Sequence, residues 1–525
     1  MAGERERIDS MLQSIRASAD SIEKELDSVL LVPKPEPAKD VIKVNVGDSV
    51  QKAYDTLLPT GGTILLAPGI HNGELKLAER PTDAKLITFS SDSTNLPADG
   101  KRTGPEYLPA MGQIFGVTAA KSPVRILNKS RNTAFVNVAF GPPVTKSFTT
   151  IEMGGDKNSM PTPADRPDGF MFDRVFVFGD PTAGAHRGIA LNASNVTVKK
   201  SYFKDIFEPG RDSQAVSAWN GGQNIVLDDN YFEGGAENVM FGGSDSASPE
   251  MACQDIVMKY CHLKKQFNDA WKTASIKTLF EIKHVKRMLV DSCLFENNWS
   301  RDWPTGVAIM LKACNGENIE TWATCEDMTM TNLLIRNVGS VFGFIGKNDS
   351  GRISDWMRRV TIRNVLAHTI NLTPWLGTGR GAPFANGCEE FFVMDHITMH
   401  TNQHSWMNTW FDSGITKAPG KFVLTNSVMA ESSYGYFSQS NGIGFPAIEK
   451  DWTGTQISGN AWRQGARAQG VLPVDNLRLP PANWDASFDS DHGVIPDSAI
   501  AQVKTTDGKL PGADVQALKA IFGTL

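Results

Sequence analysis

The sequence is poor in cysteine, with six among 525 residues and none in a CxxC pair, so no disulfide framework is expected. No apolar run approaches the ~20 residues of a membrane span. The start, MAGERERIDS, is charged and has no apolar stretch behind it, so neither export through a signal peptide nor membrane insertion is expected. Positive charge is not in excess: 52 lysines and arginines face 58 aspartates and glutamates, for a net −6. That balance argues against a general nucleic-acid binder. GxSxG, HExxH and P-loop patterns are missing, which leaves serine hydrolase, zincin and nucleotidase readings unsupported. With 41% hydrophobic and 21% charged residues the chain is not disordered, and at this length it needs several domains or one elongated repeat.

A heptad is present at the N-terminus. Ile8, Leu12, Ile15, Ala19, Ile22, Leu26 and Val29 follow alternating steps of four and three, the seam of a coiled coil. Leu12, Ala19 and Leu26 fall at a, and the isoleucines and Val29 at d, a pattern that shifts preference from dimers to three or four strands. Pro33, Pro35 and Pro37 end the helix and stiffen the segment after it. Residues 1–32 are therefore expected to form a helical oligomerisation stem and 33–40 a proline-rich linker.

Internal repetition sets the fold class. An eight-residue alternating pattern recurs as FMFDRVFV (170–177), VTVKKSYF (196–203), IVLDDNYF (225–232), IVMKYCHL (256–263), MLVDSCLF (288–295), MTMTNLLI (328–335), VTIRNVLA (360–367), FVMDHITM (392–399) and FVLTNSVM (422–429). Each copy reads as strand, sharp polar bend, strand. The residue after the bend runs Val175, Ser201, Asn230, Cys261, Cys293, Leu333, Val365, Ile397, Ser427, so Cys261 and Cys293 read as core filling. Short strands at 189–191, 216–218, 239–241, 280–282, 309–311 and 344–346 precede several copies. Without intervening helices, these predict stacked coils of an all-β parallel solenoid over 41–430, and no WD-type propeller signature is found. Ser49 to Leu58 reads as an amphipathic helix closing the first coil. Residues 431–525, with Trp452, Trp462 and Trp484 amid glycine and proline, read as a C-terminal cap or irregular region.

These features carry a resemblance. The opening helix and turn resemble the start of pectin-lyase-like right-handed parallel β-helices. FGDP (178–181), RGIALN (187–192), DSQAVSAWNG (212–221), ENVMFGG (237–243), LFEIKHVKRMLVDSCLFENNW (279–299), FIGKND (344–349) and GADVQAL (512–518) resemble a group of bacterial right-handed β-helix proteins. A multimerising stem, a proline linker and a β-helix together resemble a bacteriophage tailspike. That resemblance implies a homotrimer made in the host cytoplasm, joined to phage tail or adaptor proteins through residues 1–32, carried on the virion and binding a bacterial surface polysaccharide. It implies no particular reaction, and no cofactor is expected.

Alternation assigns candidate chemistry. With Ile189, Val216, Val239, Phe280, Ile309 and Phe344 facing inward, Glu281 falls in an outward column. Trp219, Lys283, Lys312 and Lys347 fall in the next. Coils stack about 4.8 Å apart, so three lysines would align beside a tryptophan plate, as a glycan groove requires; the plainer reading is a solvated lysine edge. Glycoside hydrolysis needs two carboxyls. Glu281, with Lys283 two residues on, is the candidate base or nucleophile, Glu237 or Asp212 the acid, and Asp245 a further substrate contact. The plainer reading of each is a structural carboxylate bonding backbone amides at a coil turn, as Glu296 is expected to be. A lyase is less favoured, since no acidic calcium cluster with an arginine base is evident. Asp489, Asp491 and His492 read as surface residues. The leading expectation is a tailspike that recognises a surface polysaccharide, with its depolymerisation by the same protein left open. The alternatives are a bacterial carbohydrate-active β-helix enzyme free of any virion and a non-catalytic adhesion spike.

Overall fold

The computed structural model describes residues 40–116, 122–142, 148–299, 306–347, 353–370, 384–399, 405–411, 415–430, 434–465, 470–479 and 500–525. The expected stem and most of the linker, with Asp489, Asp491, His492 and Trp484, lie outside the described residues.

The alternating patterns become strands because β-branched and aromatic residues on one face bury together, and each coil buries that face only against its neighbours. The strands form three parallel stacks. In the first sheet Val196 pairs with Ile225, Ile225 with Ile256 and Ile256 with Met288. The column continues through Met328, Val360, Phe392 and Phe422. The second stacks Val177, Phe203, Phe232, Leu263, Phe295 and Ile335. In the third sheet Ile151, Ile189, Val216, Val239, Phe280, Ile309 and Phe342 are successive partners. All these side chains are buried in one continuous core. The molecule is a parallel β-helix. Among the described residues no helix is long and apolar enough to cross a membrane.

The polar bend between first and second sheets is a single left-handed residue. Arg174, Lys200, Asp229, Tyr260, Ser292, Asn332, Asn364, His396 and Asn426 all have φ between 50° and 55°. The short polar side chains among them tolerate this region best. The next residue points inward, as expected, but its polar members do more than fill space. Ser201 Oγ accepts from the Val175 amide at 3.0 Å, and Asn230 Oδ1 from the Ser201 amide at 2.9 Å. Ser427 and Asn460 repeat this at the Ile397 and Ser427 amides. Each side chain thus satisfies a backbone group that the bend removes from the sheet ladder. Cys261 and Cys293 are buried and free, as core filling requires.

The opening helix spans Val50–Leu57, with Ser49 Oγ accepting from the Lys52 amide, a standard N-cap. Tyr54 and Leu57 close the end of the core. Past residue 430 the coils continue rather than becoming irregular. Strands Trp452–Ser458 and Ala461–Arg463 pair with Ala418–Thr425 and Val428–Ala430, and Leu477–Leu479 adds to them. Trp452 and Trp462 are core residues of these coils. Gly444 and Pro446 open the helix Phe445–Asp451, and Gly459, at φ 70°, is the bend between the two strands, so they belong to the repeat and do not end it. The last segment, 500–525, runs back along the outside of the second sheet. Ile500 packs with Val428 and Leu479, and Leu518 with Leu366 and Leu334.

Candidate functional site

The third sheet carries a cluster of buried and half-buried charges that face one another. Its strands Arg187–Leu191, Gln214–Ala218, Glu237–Phe241 and Thr278–Ile282 lie in adjacent coils. The first residues of three of them are register partners, Arg187 with Gln214 and Gln214 with Glu237. Their side chains form a relay. Arg187 Nε donates to Gln214 Oε1 at 3.1 Å, and Gln214 Nε2 donates to Glu237 Oε2 at 2.7 Å. One coil further, Glu281 accepts from the Thr278 hydroxyl at 3.4 Å and stands 3.5 Å from the Lys283 ammonium. Asp212 pairs with Lys277 and accepts from Ser275.

Three of the sequence candidates, Asp212, Glu237 and Glu281, are thus brought into one charged field with Arg187, Lys277 and Lys283. Glu237 is the deepest. Burial, then Glu281 and Asp212, push its carboxyl up to about 7, against the opposing pull of Lys277 and Lys283. A buried acid among like charges keeps its proton because ionising it would add uncompensated charge in a low dielectric. Lys283 is raised as well, but its charged form is the one favoured: Glu281, foremost, and Glu237 raise it despite burial. Lys277 is likewise raised, because Glu237 and Asp212 outweigh the cost of its burial. Glu281 is 7% exposed and Asp212 49%. Asp212 therefore marks the open rim, with Glu237 and Glu281 on the floor.

An aromatic wall adjoins the relay. The Arg187 guanidinium lies 5.1 Å from the centroid of Trp219 and 5.5 Å from that of Phe148. Arg211 lies over the same Phe148 at 5.1 Å, and His186 stacks on it at 4.3 Å. Burial, then Arg187, lowers His186 to about 4, so this ring is neutral near pH 7. Trp219 is fixed through its backbone amide, which donates to Asn192 Oδ1 at 2.9 Å.

Other sequence candidates are placed differently. Phe342, not Phe344, is the partner of Ile309, and Lys312 pairs with Ile345. Lys347 is thereby two residues out of register, and its ammonium sits over Trp356 at 5.3 Å. The strand begins earlier than the alternation suggests, so the three-lysine column does not form; Lys283 and Lys312 alone keep adjacent positions. Asp245 does not line the groove. It is 1% exposed, and its two oxygens accept from the Glu317 and Ile319 amides, so it orders a loop. Glu296 has the structural role expected, bonded by His262, Lys264 and Arg336 on the second sheet; burial opposes its ionisation, but these partners together lower it. Gln214, Lys277 and Phe148 carry no sequence signal of their own. Gln214 was reachable only by noting that it occupies the column of Glu237. Among the described residues no three His, Cys, Asp or Glu side chains are grouped to hold a metal.

No protein-family model and no curated protein matches the sequence. Solved structures do match. The Dettilon tailspike is 10% identical with a TM-score of 0.37, over 84% of this chain and 63% of that one. A tailspike of the E. coli bacteriophage HK620, solved with a pentasaccharide, is 11% identical with a TM-score of 0.42, over 83% and 75%. A mannuronic acid-specific family 6 polysaccharide lyase from human gut microbiota is 12% identical with a TM-score of 0.41, over 92% and 98%. The chain thus spans under two thirds of the Dettilon protein. At such identity the likeness is one of fold.

Proposed function

We propose that the outer face of the third sheet is a polysaccharide-binding groove and that its carboxyls hydrolyse a glycosidic bond. The observation that carries this is the buried Glu237, held by Gln214, on the strand next to that of Glu281 and Lys283, with the Phe148–Trp219 wall alongside. Sugar rings stack on such aromatic faces, with polar groups nearby fixing their hydroxyls. Glu237, protonated near neutrality, gives its proton to the leaving oxygen. Glu281, beside Lys283, attacks the anomeric carbon or takes a proton from water. Glu281 is the register partner of Met240, three residues along the strand from Glu237, so side-chain reach rather than coil spacing sets the carboxyl separation, which is ~5–5.5 Å in retaining pairs and ~6.5–9.5 Å in inverting ones. Lys283, Arg187 and Lys277 hold the acids in place and favour an acidic glycan.

The depth of Glu237 and Glu281 favours a second reading, adhesion without cleavage, in which the trio only braces the groove. Incubation with purified surface glycans separates the two. Hydrolysis releases new reducing ends, and Glu281→Gln lowers their rate by about 10²–10⁴-fold. Tight binding with an unchanged glycan selects adhesion. We further propose that the body is carried as a trimer on a phage tail through residues 1–32. Sedimentation of the intact chain as a monomer at micromolar concentration would refute the trimer.

A further inference from the structure

Beneath Glu237 lies a lysine that the groove does not expose. Lys265 follows strand His262–Lys264 of the second sheet and is fully buried. Its ammonium points at the tight connection that brings the chain from the second sheet to the third. It donates to Gly234 O at 2.7 Å, to Gly235 O, to Ala236 O at 3.4 Å and to Asn238 Oδ1 at 3.1 Å. All four partners are neutral oxygens. Burying an ammonium costs several kcal/mol, and a cage of carbonyls offsets this only if they converge.

The connection is built for convergence. A Cβ on Gly234 would lie 2.2 Å from Glu237 O, and one on Gly235 2.3 Å from Ser213 Oγ, so only glycine allows so close a fold. Ala236 O also accepts the Lys277 and Thr278 amides. Asn238 donates onward to Phe232 O and Lys264 O. Lys265 therefore grips the residues on both sides of Glu237 and, through Ala236, touches the coil that carries Lys277 and Glu281.

We propose that Lys265 is the positioning residue of the Glu237 carboxyl, fixing its backbone from both flanks and setting how readily it releases its proton. This rests on the reading of Glu237 as the proton donor, but the coupling is measurable without any substrate. The charged groups around Glu237 are Asp212 and Glu281, which raise its proton affinity, and Lys277, Lys283, Arg187 and Lys265, which oppose it. Burial pushes Lys265 downward while Glu237 holds it up, so the pair is reciprocal.

The experiment is a pair of titrations on the full chain, reading ¹³C-labelled lysine and glutamate side chains by NMR. In Glu237→Gln the Lys265 midpoint falls by about one pH unit, and in Lys265→Met the Glu237 midpoint rises by the same amount. Where glycan cleavage is observed, the alkaline limb of the rate profile in Lys265→Met moves up with it. Loss of rate with an unmoved limb would mean a purely structural lysine and overturns the proposal. So does an unchanged Lys265 midpoint in Glu237→Gln, a variant that leaves the lysine cage intact and serves if Lys265→Met does not fold. A wild-type protein that cleaves no glycan but shows the reciprocal shift refutes the hydrolase reading and supports the coupling.

Discussion

Glu237 shows how one residue acquires an unusual property from its surroundings. The same carboxyl in an open loop would ionise in the ordinary range; here burial comes first and like charge second. The consequence for stability has a definite sign. Because its folded value lies above its unfolded one, the native state holds more protons between roughly pH 4.5 and 7, so stability falls as pH rises through that window. Glu237→Gln removes this slope. Urea unfolding at pH 5 and pH 7 should differ less in the variant than in the wild type, by on the order of 1 kcal/mol or more. Equal differences would show that the carboxyl titrates normally. The face pattern placed Glu281 outward and the repeat put Glu237 at the start of a strand in a neighbouring coil, but neither gave their depth. Alternation assigns a direction to a side chain, whereas burial depends on what the neighbouring coils and loops lay over it.

At the scale of elements, the bend between the first two sheets repeats one solution with different residues. A left-handed residue turns the chain, and the next points inward, where Ser201, Asn230, Ser427 and Asn460 each bond an amide of the coil before. Asn230 also donates to Val198 O at 2.8 Å. Asn230→Leu would fill the space but orphan a buried amide and a carbonyl. It should cost about 2–4 kcal/mol, read as a lower midpoint in thermal or urea unfolding; a change within about 0.5 kcal/mol would mean that the core absorbs the loss. The bend column was legible from the eight-residue repeat, and so was the inward direction of its second residue. Its hydrogen bonds were not, because they join residues a full coil apart in the chain. The lysine column failed at this same scale. Ser340–Ile345 begins earlier than alternation suggested, and a shift of two preserves every side-chain face while displacing each residue along the strand.

The whole molecule is a stack whose coils lean on their neighbours, with a strap. Residues 500–525 return along the second sheet, and the helix Val515–Phe522 seats Leu518 on Leu334 and Leu366. Two further ties fix the path: His396 bonds Gly512 O and Asp507, and the Asp514 amide donates to Asn364 Oδ1 at 2.7 Å. Leu518→Ala opens a cavity between strap and sheet and should cost about 2–4 kcal/mol. If the strap is a separable unit, amide exchange will rise in 500–525 while the sheet amides stay protected. Uniform exchange would show instead that strap and coils unfold together.

The periodic pattern alone was enough for the solenoid, its capped opening, the inward bend and the membership of Asp212, Glu237 and Glu281 in neighbouring coils. Periodicity is a local property, and a repeat that cannot bury itself must stack. Tertiary structure decided the rest: which strand residue meets which, that Asp245 serves a loop, that the coils run past residue 430, and that Gln214 bonds the Glu237 carboxyl while Lys265 bonds the residues on either side of it. Those facts depend on register, loop path and desolvation, which arise from contacts between residues a full coil or more apart and leave no mark on any short window of sequence.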